Sequence, residues 1–464
     1  MKSSISNANN SRELILSGNL AKAILTLAIP VVINSFLQTM YNLTDTYWLG
    51  KLGTNELAAI NLITPLQNII VNFGAGLTVA AAVLIAQYLG AKEDEQARSM
   101  ANQVYSVSII FAVVTAALCV VLTPNIVGWL GAEGEIYDLA KIYMQLVIID
   151  MPFLFTVNMY QSINQAQGDT LRPMLLNLAG IVINMIADPL LMIVLNMGIK
   201  GAALATVGSK VIIAVVAFIL LNRKGGKLVY LELSKLKFEK EKLKRIVVVG
   251  LPTAIGGSTM QLGFLLMSKN VLVYGNQAMA AYGIGNKVNG LISLPANGVG
   301  SAVSTIVGQN IGANNYNRAE KSYKLSMIGC VIFLFVGGMI LSRPVISTAI
   351  VSIFSSDPDV VGMAADFLSV MAFWCFANGV HTTSSGLFQG TGHTEVTMAI
   401  EITRLWVFRF ATLYICEIFL KMGVRSIWYS VVVSNGIAAA ILFIIYLTGY
   451  WKKKRIKTGE TERL

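Results

Sequence analysis

The second half of this chain repeats the first half with an offset of 222 residues. Pro30 matches Pro252, Gly53 matches Gly275, and the match extends without a gap as far as Ala91. The chain is also strongly apolar, since 55% of its residues are hydrophobic. An internal repeat in such a chain predicts two similar bundles of helices side by side in a membrane.

Charged residues are scarce, which supports the same interpretation. They make up only 13% of the 464 residues, whereas a soluble domain has about 25%. Long apolar stretches recur, and each could cross the ~30 Å hydrocarbon core of a bilayer. We therefore expect an all-α polytopic membrane protein with twelve transmembrane helices in two pseudo-symmetric six-helix lobes. The predicted spans are 23–49, 57–87, 97–123, 137–166, 173–196, 200–222, 245–274, 279–309, 318–342, 359–388, 395–420 and 423–450.

Basic residues concentrate after the sixth and the twelfth span. Their excess accounts for most of the net charge of +11. Such segments favour the cytoplasmic side and contact with anionic lipid, and we expect no nucleic-acid partner. The sequence thus predicts an N-lobe (1–222), a basic cytoplasmic linker (223–245), a C-lobe (246–450) and a basic cytoplasmic tail (451–464). Both termini are then cytoplasmic, in a multi-pass protein of the cell membrane.

Signals for catalysis or for a bound cofactor are missing from the sequence. No nucleotide-binding motif occurs, so transport driven by ATP is not expected from this chain. The cysteines lie inside apolar runs and have no metal-ligand spacing; they are Cys119, Cys330, Cys375 and Cys416. We predict no enzyme activity, no catalytic residue and no cofactor.

Polar residues follow single faces of three first-half spans. On span 1, Asn34, Gln38, Tyr41 and Asp45 are separated by four, three and four residues, which is the spacing of one helix face. The second-half counterpart of Asp45 is Met267. Spans 2 and 5 carry similar stripes, formed by Asn61, Thr64, Asn68 and Asn72 and by Asn177, Asn184 and Asp188.

Two explanations fit these stripes. Amide side chains can join neighbouring helices by hydrogen bonds, whereas two aligned stripes that each end in an aspartate favour a binding site. The helix rise of 1.5 Å per residue places Asp45 and Thr206 ~9 Å from the outer ends of their helices, and Asp188 ~15 Å. A lone carboxylate at such depth costs several kcal/mol and will be protonated or hold a cation. Both Na⁺ and H⁺ are compatible with these carboxylates.

The order and spacing of several short segments resemble the multidrug and toxic compound extrusion (MATE) family across nearly the whole chain. The segments that carry the resemblance are Leu43–Gly50 with Leu52–Thr54, Gln87–Ala91, Gln167–Thr170, Asn184–Pro189, Gly201–Thr206 and Gln389–Thr394. The resemblance implies two six-helix lobes that form a V-shaped cavity. It also implies secondary active efflux of cationic amphipathic drugs in exchange for Na⁺ or H⁺.

In the prokaryotic branch of this family with a cation site in the N-lobe, the coupling cluster looks like Asp45, Asn184, Asp188 and Thr206 here. These four would also be the metal ligands if the coupled ion is Na⁺. We expect the substrate cavity to be lined by the other stripe residues, which are Asn34, Gln38, Tyr41, Asn68, Asn72 and Asn177. The expected partners are an amphipathic, cationic small molecule and membrane lipid, and the protein is expected to be a monomer.

Other interpretations rest on particular residues. Another branch of the family has carboxylates in the C-lobe, but spans 7 and 8 here carry Lys269 and Lys287 instead. A flippase for lipid-linked precursors, from the same superfamily, would need a cavity rich in Arg and Lys. An intramembrane aspartyl protease would not explain the repeat.

Span 11 holds three charged residues, Glu401, Arg404 and Arg409. Because Glu401 and Arg404 are three residues apart, they predict an internal ion pair. The other possibility is that they orient anionic cargo.

Overall fold

Helices form almost all of the computed structural model, which describes residues 2–225 and 227–453. The described residues include no strand. The first half contains α1 to α8: Lys2–Leu16, Leu20–Leu52, Thr54–Gly90, Asp94–Trp129, Gly134–Ile148, Met151–Ala166, Leu171–Pro189 and Gly198–Asn222. The second half contains α9 to α17: Lys240–Leu272, Asn276–Gly312, Tyr316–Leu341, Pro344–Val351, Pro358–Phe373, Phe376–Gly390, Thr394–Ile402, Phe410–Tyr414 and Arg425–Leu447.

The described helices account for the twelve predicted spans. Nine are individually long and apolar enough to cross a membrane, and two more spans are pairs of helices, α5–α6 and α13–α14, bent by 44° and 56°. The twelfth runs from Thr394 to Phe419 and alternates between α and π geometry. The predicted all-α, twelve-helix architecture is therefore confirmed. The sequence did not reveal the bends, the π turns, the N-terminal helix α1 or the short helix α12.

The chain divides into two compact units. Unit 1 contains the chain up to Ser17 and Ile33–Ala254, and unit 2 contains Gly18–Val32 and the chain from Ile255 onward. The boundary after Ser17 lies between α1 and α2. The boundaries after Val32 and Ala254 lie inside the long helices α2 and α9, and they are 222 positions apart like the two halves of the repeat. Within the predicted basic tail, residues 454–464 lie outside the described part of the chain.

Matching glycines bring helices close together at equivalent places in the two units. A Cβ atom on Gly76 in α3 would lie 2.4 Å from the carbonyl oxygen of Gly250 in α9. At the repeat position in unit 2, a Cβ on Gly298 would lie 2.4 Å from Val32 Cγ2 and 3.0 Å from the carbonyl oxygen of Ala28. Only glycine permits these approaches. The repeat therefore preserves helix packing as well as helix order.

The predicted basic linker folds back onto unit 1. Side-chain amides of the unit satisfy its backbone: Gln167 Oε1 accepts a hydrogen bond from the N–H of Val229, and Gln103 Oε1 accepts one from Glu239, both at 3.0 Å. Val229 is fully buried. In the same segment, a hydrogen bond from Lys242 lowers the pKa of Glu239. The linker is thus an ordered part of unit 1, because its polar backbone groups find partners there.

Candidate functional site

A cavity of about 180 Å³ lies among α2, α6, α7 and α8 of unit 1. Its lining includes four of the six residues predicted for the substrate cavity, and also Asn184 from the predicted ion cluster. The polar side chains that line it are Asn34, Gln38, Tyr41, Asn158, Gln161, Asn177, Asn184, Ser209 and Lys210. The stripes of spans 1 and 5 therefore meet in one polar cavity within a mainly apolar unit.

Amide groups connect the helices around this cavity. Asn177 Nδ2 donates to Asn34 Oδ1 at 3.2 Å and to Gln161 Oε1 at 3.4 Å. Gln38 Nε2 donates within its own helix to Asn42 Oδ1 at 3.3 Å. The explanation that amides join helices thus holds for Asn34 and Asn177, although both side chains also face the cavity.

The two deepest members of the predicted ion cluster have no hydrogen-bond partner among the described residues. Asn184 is 2% exposed and Asp188 is 1% exposed. Both polar side-chain atoms of each residue are buried and unpaired. Buried polar groups are nearly always hydrogen-bonded, and an unpaired carboxylate is among the most costly exceptions. The chemistry of this pair fits a bound cation or proton.

Asp45 and Thr206 complete the predicted cluster from two other helices. Asp45, half-buried on α2, is close enough to Asp188 for the two carboxylates to repel each other. Thr206, in the third turn of α8, lies beside Tyr41. Tyr41 in turn lies near the carboxylates of Asp45 and Asp188, and it lines the cavity. Tyr41 therefore connects the ion cluster with the cavity.

A local break in α7 positions Asp188. The α-helix ends at Pro189, directly after Asp188, and continues as a π turn over Leu190–Val194. Single π turns inside helices are frequent at functional sites. Gly201 lets α8 approach this turn closely, because a Cβ there would lie 2.7 Å from the carbonyl oxygen of Leu191. The glycine thus lets the start of α8 pack against the π turn that follows Asp188.

An ion pair beside the cavity was missed by the sequence analysis. Lys210 Nζ on α8 donates to Asp150 Oδ2, and the Asp150 side chain is 1% exposed. Lys210 also attracts Asp45. Because its short contact is with Asp150, Lys210 leaves Asp45 and Asp188 without an ion pair in the described part of the chain. Asn158 and Gln161, which also line the cavity, were missed too, although their spacing of three residues could have indicated a shared helix face.

The stripe on span 2 does not reach this cavity lining. Asn68 is exposed, and Asn72 Nδ2 donates to the backbone carbonyl of Asn68 at 2.7 Å. Thr64 likewise donates to its own helix, at Ile60. Nor do the described residues contain a group of three or more His, Cys, Asp or Glu side chains that could hold a metal ion. The candidate site is instead built from two carboxylates, one amide and one hydroxyl.

The positions in unit 2 that match Tyr41 and Asp45 have apolar surroundings. Met267, at the repeat position of Asp45, is fully buried in a cluster that contains Leu413 and Trp428. Gly263, at the repeat position of Tyr41, packs directly against Leu405. Apolar side chains of unit 2 therefore surround the positions that match Tyr41 and Asp45.

Comparison with known proteins identifies the family. The family model described as MatE matches residues 30–190 and 252–415, one segment in each half of the repeat. The chain belongs to the MatE family. This is a family of transporters and not of enzymes, so the predicted family and the prediction that the chain is not an enzyme are both confirmed.

Relatives and solved structures match almost the full length of this MatE protein. The probable multidrug resistance protein NorM of Thermotoga maritima is 25% identical over 450 residues, which is 95% of each chain. The multidrug export protein MepA of Staphylococcus haemolyticus is 26% identical over 92% of this chain and 93% of its own length. A crystal structure of MATE in complex with MaL6 has a TM-score of 0.90 at 25% identity and covers 95% of this chain and 99% of that chain.

Proposed function

We propose that this protein is a secondary active efflux transporter that exchanges cationic, amphipathic drugs for Na⁺ or H⁺. The names of the relatives NorM and MepA support multidrug export, since both match more than nine-tenths of this chain. The observation that carries the ion-coupling part is the pair Asn184 and Asp188, which are buried without a hydrogen-bond partner among the described residues.

The charges of unit 1 explain why a cation would bind. Beside the cluster, Lys210 is paired with Asp150. The carboxylates of Asp45 and Asp188 repel each other, and neither forms an ion pair among the described residues. Charged groups inside a membrane require a partner, and oxygen ligands from carboxylate, amide and hydroxyl groups suit a hard cation such as Na⁺. Uptake of a proton by one aspartate would remove the same repulsion.

Tyr41 and Asn184 provide a physical route from ion to drug. Tyr41 contacts Thr206 and lines the cavity, and Asn184 belongs to both the cluster and the lining. Binding of an ion would draw Asn184 and Asp188 toward it and change the lining. Since a ligand shifts an equilibrium only through unequal affinity for two states, ion and drug must then affect each other's binding reciprocally.

The composition of the cavity is also the basis for choosing drug efflux over the flippase alternative. Lys210 is the only basic residue in its lining and is already paired. Cargo that carries a diphosphate would require several unpaired Arg or Lys side chains. Amide and tyrosine side chains suit cationic, amphipathic molecules better.

The basic linker and tail support a location in the cell membrane with both termini in the cytoplasm, because basic segments between spans remain inside. They would also contact anionic lipid there. A single chain contains both halves of the repeat, so the transport unit is proposed to be the monomer.

Efflux measurements in proteoliposomes test this proposal. A fluorescent lipophilic cation is loaded, and an inward Na⁺ gradient and an inward H⁺ gradient are imposed separately. One gradient should drive efflux by the wild type, whereas Asp188→Asn should lose that efflux. Asp366→Asn is the matched control, because it removes a half-buried carboxylate paired with Arg425 in unit 2. Gradient-driven efflux at the wild-type rate in Asp188→Asn would contradict the assignment of the ion site.

A further inference from the structure

Unit 2 contains a buried charged cluster that the proposed exchange does not use. Its members come from α14, from α15 and the π segment that follows it, and from α17, and they are His381, Glu401, Arg404, Arg409 and Asn435. Arg409 is only 2% exposed. Charged residues within membrane spans are rare and usually functional.

Glu401 uses both of its carboxylate oxygens within this cluster. Arg404 Nη2 donates to Glu401 Oε2 at 2.5 Å, and His381 Nε2 lies 3.2 Å from Glu401 Oε1. The predicted internal pair of Glu401 and Arg404 is therefore confirmed. One arginine charge is compensated in this way.

The second arginine charge has no carboxylate of its own. Arg409 Nη2 and Arg404 Nη1 both donate to Asn435 Oδ1, at 3.1 Å and 3.2 Å. Arg409 Nε donates to the hydroxyl of Ser434 at 3.1 Å. Both acceptors are neutral, so two guanidinium groups share the single carboxylate of Glu401. The described cluster has a net charge of +1 when His381 is neutral.

Three buried donors in or beside this cluster have no acceptor among the described residues. They are Arg404 Nε, Arg409 Nη1 and the hydroxyl of Tyr282, which is 5% exposed. Tyr282 stacks on Trp428 of α17, the helix whose Ser434 and Asn435 accept hydrogen bonds from Arg409. Arg409 also acts electrostatically on the Tyr282 hydroxyl. On another side, the ring of Phe264 lies 5.7 Å from the Arg409 guanidinium. An aromatic ring attracts the cation but cannot neutralise it.

We propose that unit 2 binds a small monovalent anion at Arg409 Nη1 and the Tyr282 hydroxyl. Such an anion balances the excess positive charge and accepts a hydrogen bond from both donors. One ligand thereby removes the free-energy cost of the unbalanced charge and that of the unpaired donors. The ligand class is a halide or the carboxylate group of a small molecule. This site is independent of the cation site proposed in unit 1, since it shares no residue with it.

Equilibrium binding of radiolabelled chloride and radiolabelled acetate to the purified full-length protein in nanodiscs tests this site. Wild-type protein should bind at least one of the two anions saturably, at about one per chain, and excess gluconate should not displace it. Binding of chloride identifies an inorganic anion, and binding of acetate alone identifies a carboxylate group. Absence of saturable binding for both anions overturns the proposal.

Variants locate the binding. Arg409→Gln should abolish saturable binding, and Arg425→Gln, which removes an exposed arginine paired with Asp366, should retain it. If Arg409→Gln does not fold, Tyr282→Phe keeps the ring stacked on Phe367 and Trp428 and removes only the hydroxyl. This variant should weaken binding about tenfold, as expected for a lost hydrogen bond to a charged group. Wild-type affinity in both variants would place the anion elsewhere and contradict the proposal.

The thermal midpoint gives a second, independent readout. A ligand that binds only the folded state raises the melting temperature. At constant ionic strength, the bound anion should raise the wild-type midpoint by a few degrees relative to gluconate, and Arg409→Gln should lose this shift. A protein without gradient-driven efflux can still show this response, so the proposal can fail separately from the proposed transport function.

Discussion

The two units share one pattern of helices and differ in the sign of their buried charge. In unit 1, Asp45, Asp150 and Asp188 outnumber Lys210. In unit 2, two arginines outnumber Glu401. The glycines that allow close helix packing recur at the repeat offset, as Gly76 and Gly298 show.

This difference shows which properties of a repeat are preserved and which diverge. Close contacts between helices depend on small residues at fixed places, and a change there disturbs the whole bundle. Polar side chains in a cavity can change with much less effect on packing. Asp45 and its counterpart Met267 illustrate the point, because Asp45 lies near the carboxylate of Asp188 whereas Met267 is buried in an apolar cluster.

The largest expected effect comes from separating Lys210 from its partner. Asp150→Asn should lower the free energy of unfolding by about 3 kcal/mol, because removal of one member of a buried ion pair leaves the other charge unpaired. Thermal unfolding in detergent measures this loss. The double variant Asp150→Asn with Lys210→Met should recover most of the stability. If Asp150→Asn is as stable as the wild type, Lys210 does not depend on Asp150 as its partner. Lys210 could then neutralise Asp45, and unit 1 would have less need of a bound cation.

The next effect concerns the apolar counterpart in unit 2. Met267→Ala should lower the free energy of unfolding by about 2 kcal/mol, because it leaves a cavity in a fully buried cluster. The Na⁺ or pH dependence of efflux should stay at the wild-type value. Measurement of efflux against both ions checks this. A large shift in ion dependence would mean that unit 2 takes part in cation coupling and would remove the contrast between the units.

The smallest effect separates the two polar stripes of unit 1. Asn177→Ala removes the two amide contacts between helices and should cost about 1 kcal/mol. Asn72→Ala removes a contact within one helix and should cost less than about 0.5 kcal/mol. Thermal midpoints and the apparent affinity for drug should both change more for Asn177→Ala. Equal changes in the thermal midpoint and the drug affinity of the two variants would indicate that the stripe of span 2 also lines the cavity.

Sequence patterns predicted the helices and the acidic site because both depend on local information. Spacings of three and four residues reveal which side chains share a helix face, and the repeat aligns Asp45 with Met267 in the sequence. The partner of each face depends on tertiary packing. Asp150 and Lys210 are 60 positions apart on different helices, so no local pattern joins them. Asn72 shows the same limit. The sequence identified its polar stripe but could not show that Asn72 bonds to its own helix instead of lining the cavity.

The geometry of the broken helices was also beyond the sequence patterns. Proline residues indicated possible breaks, yet the π turn after Asp188 and the bend between α13 and α14 arise from how neighbouring helices pack. The roles proposed for Asp45, Asn184, Asp188 and Thr206 as ion ligands stay a prediction. Their shared neighbourhood now gives that prediction a physical basis.

The central claim is that ion and drug compete through the cluster of Asp45 and Asp188. Equilibrium binding of a fluorescent cation to the purified protein, titrated against Na⁺ at fixed pH and against pH without Na⁺, tests it most directly. The account predicts that one of these ions weakens drug binding at least tenfold in the wild type, and that Asp188→Asn removes this dependence while Asp366→Asn keeps it. Drug affinity that stays unchanged at saturating Na⁺ and at low pH in the wild type would contradict the account.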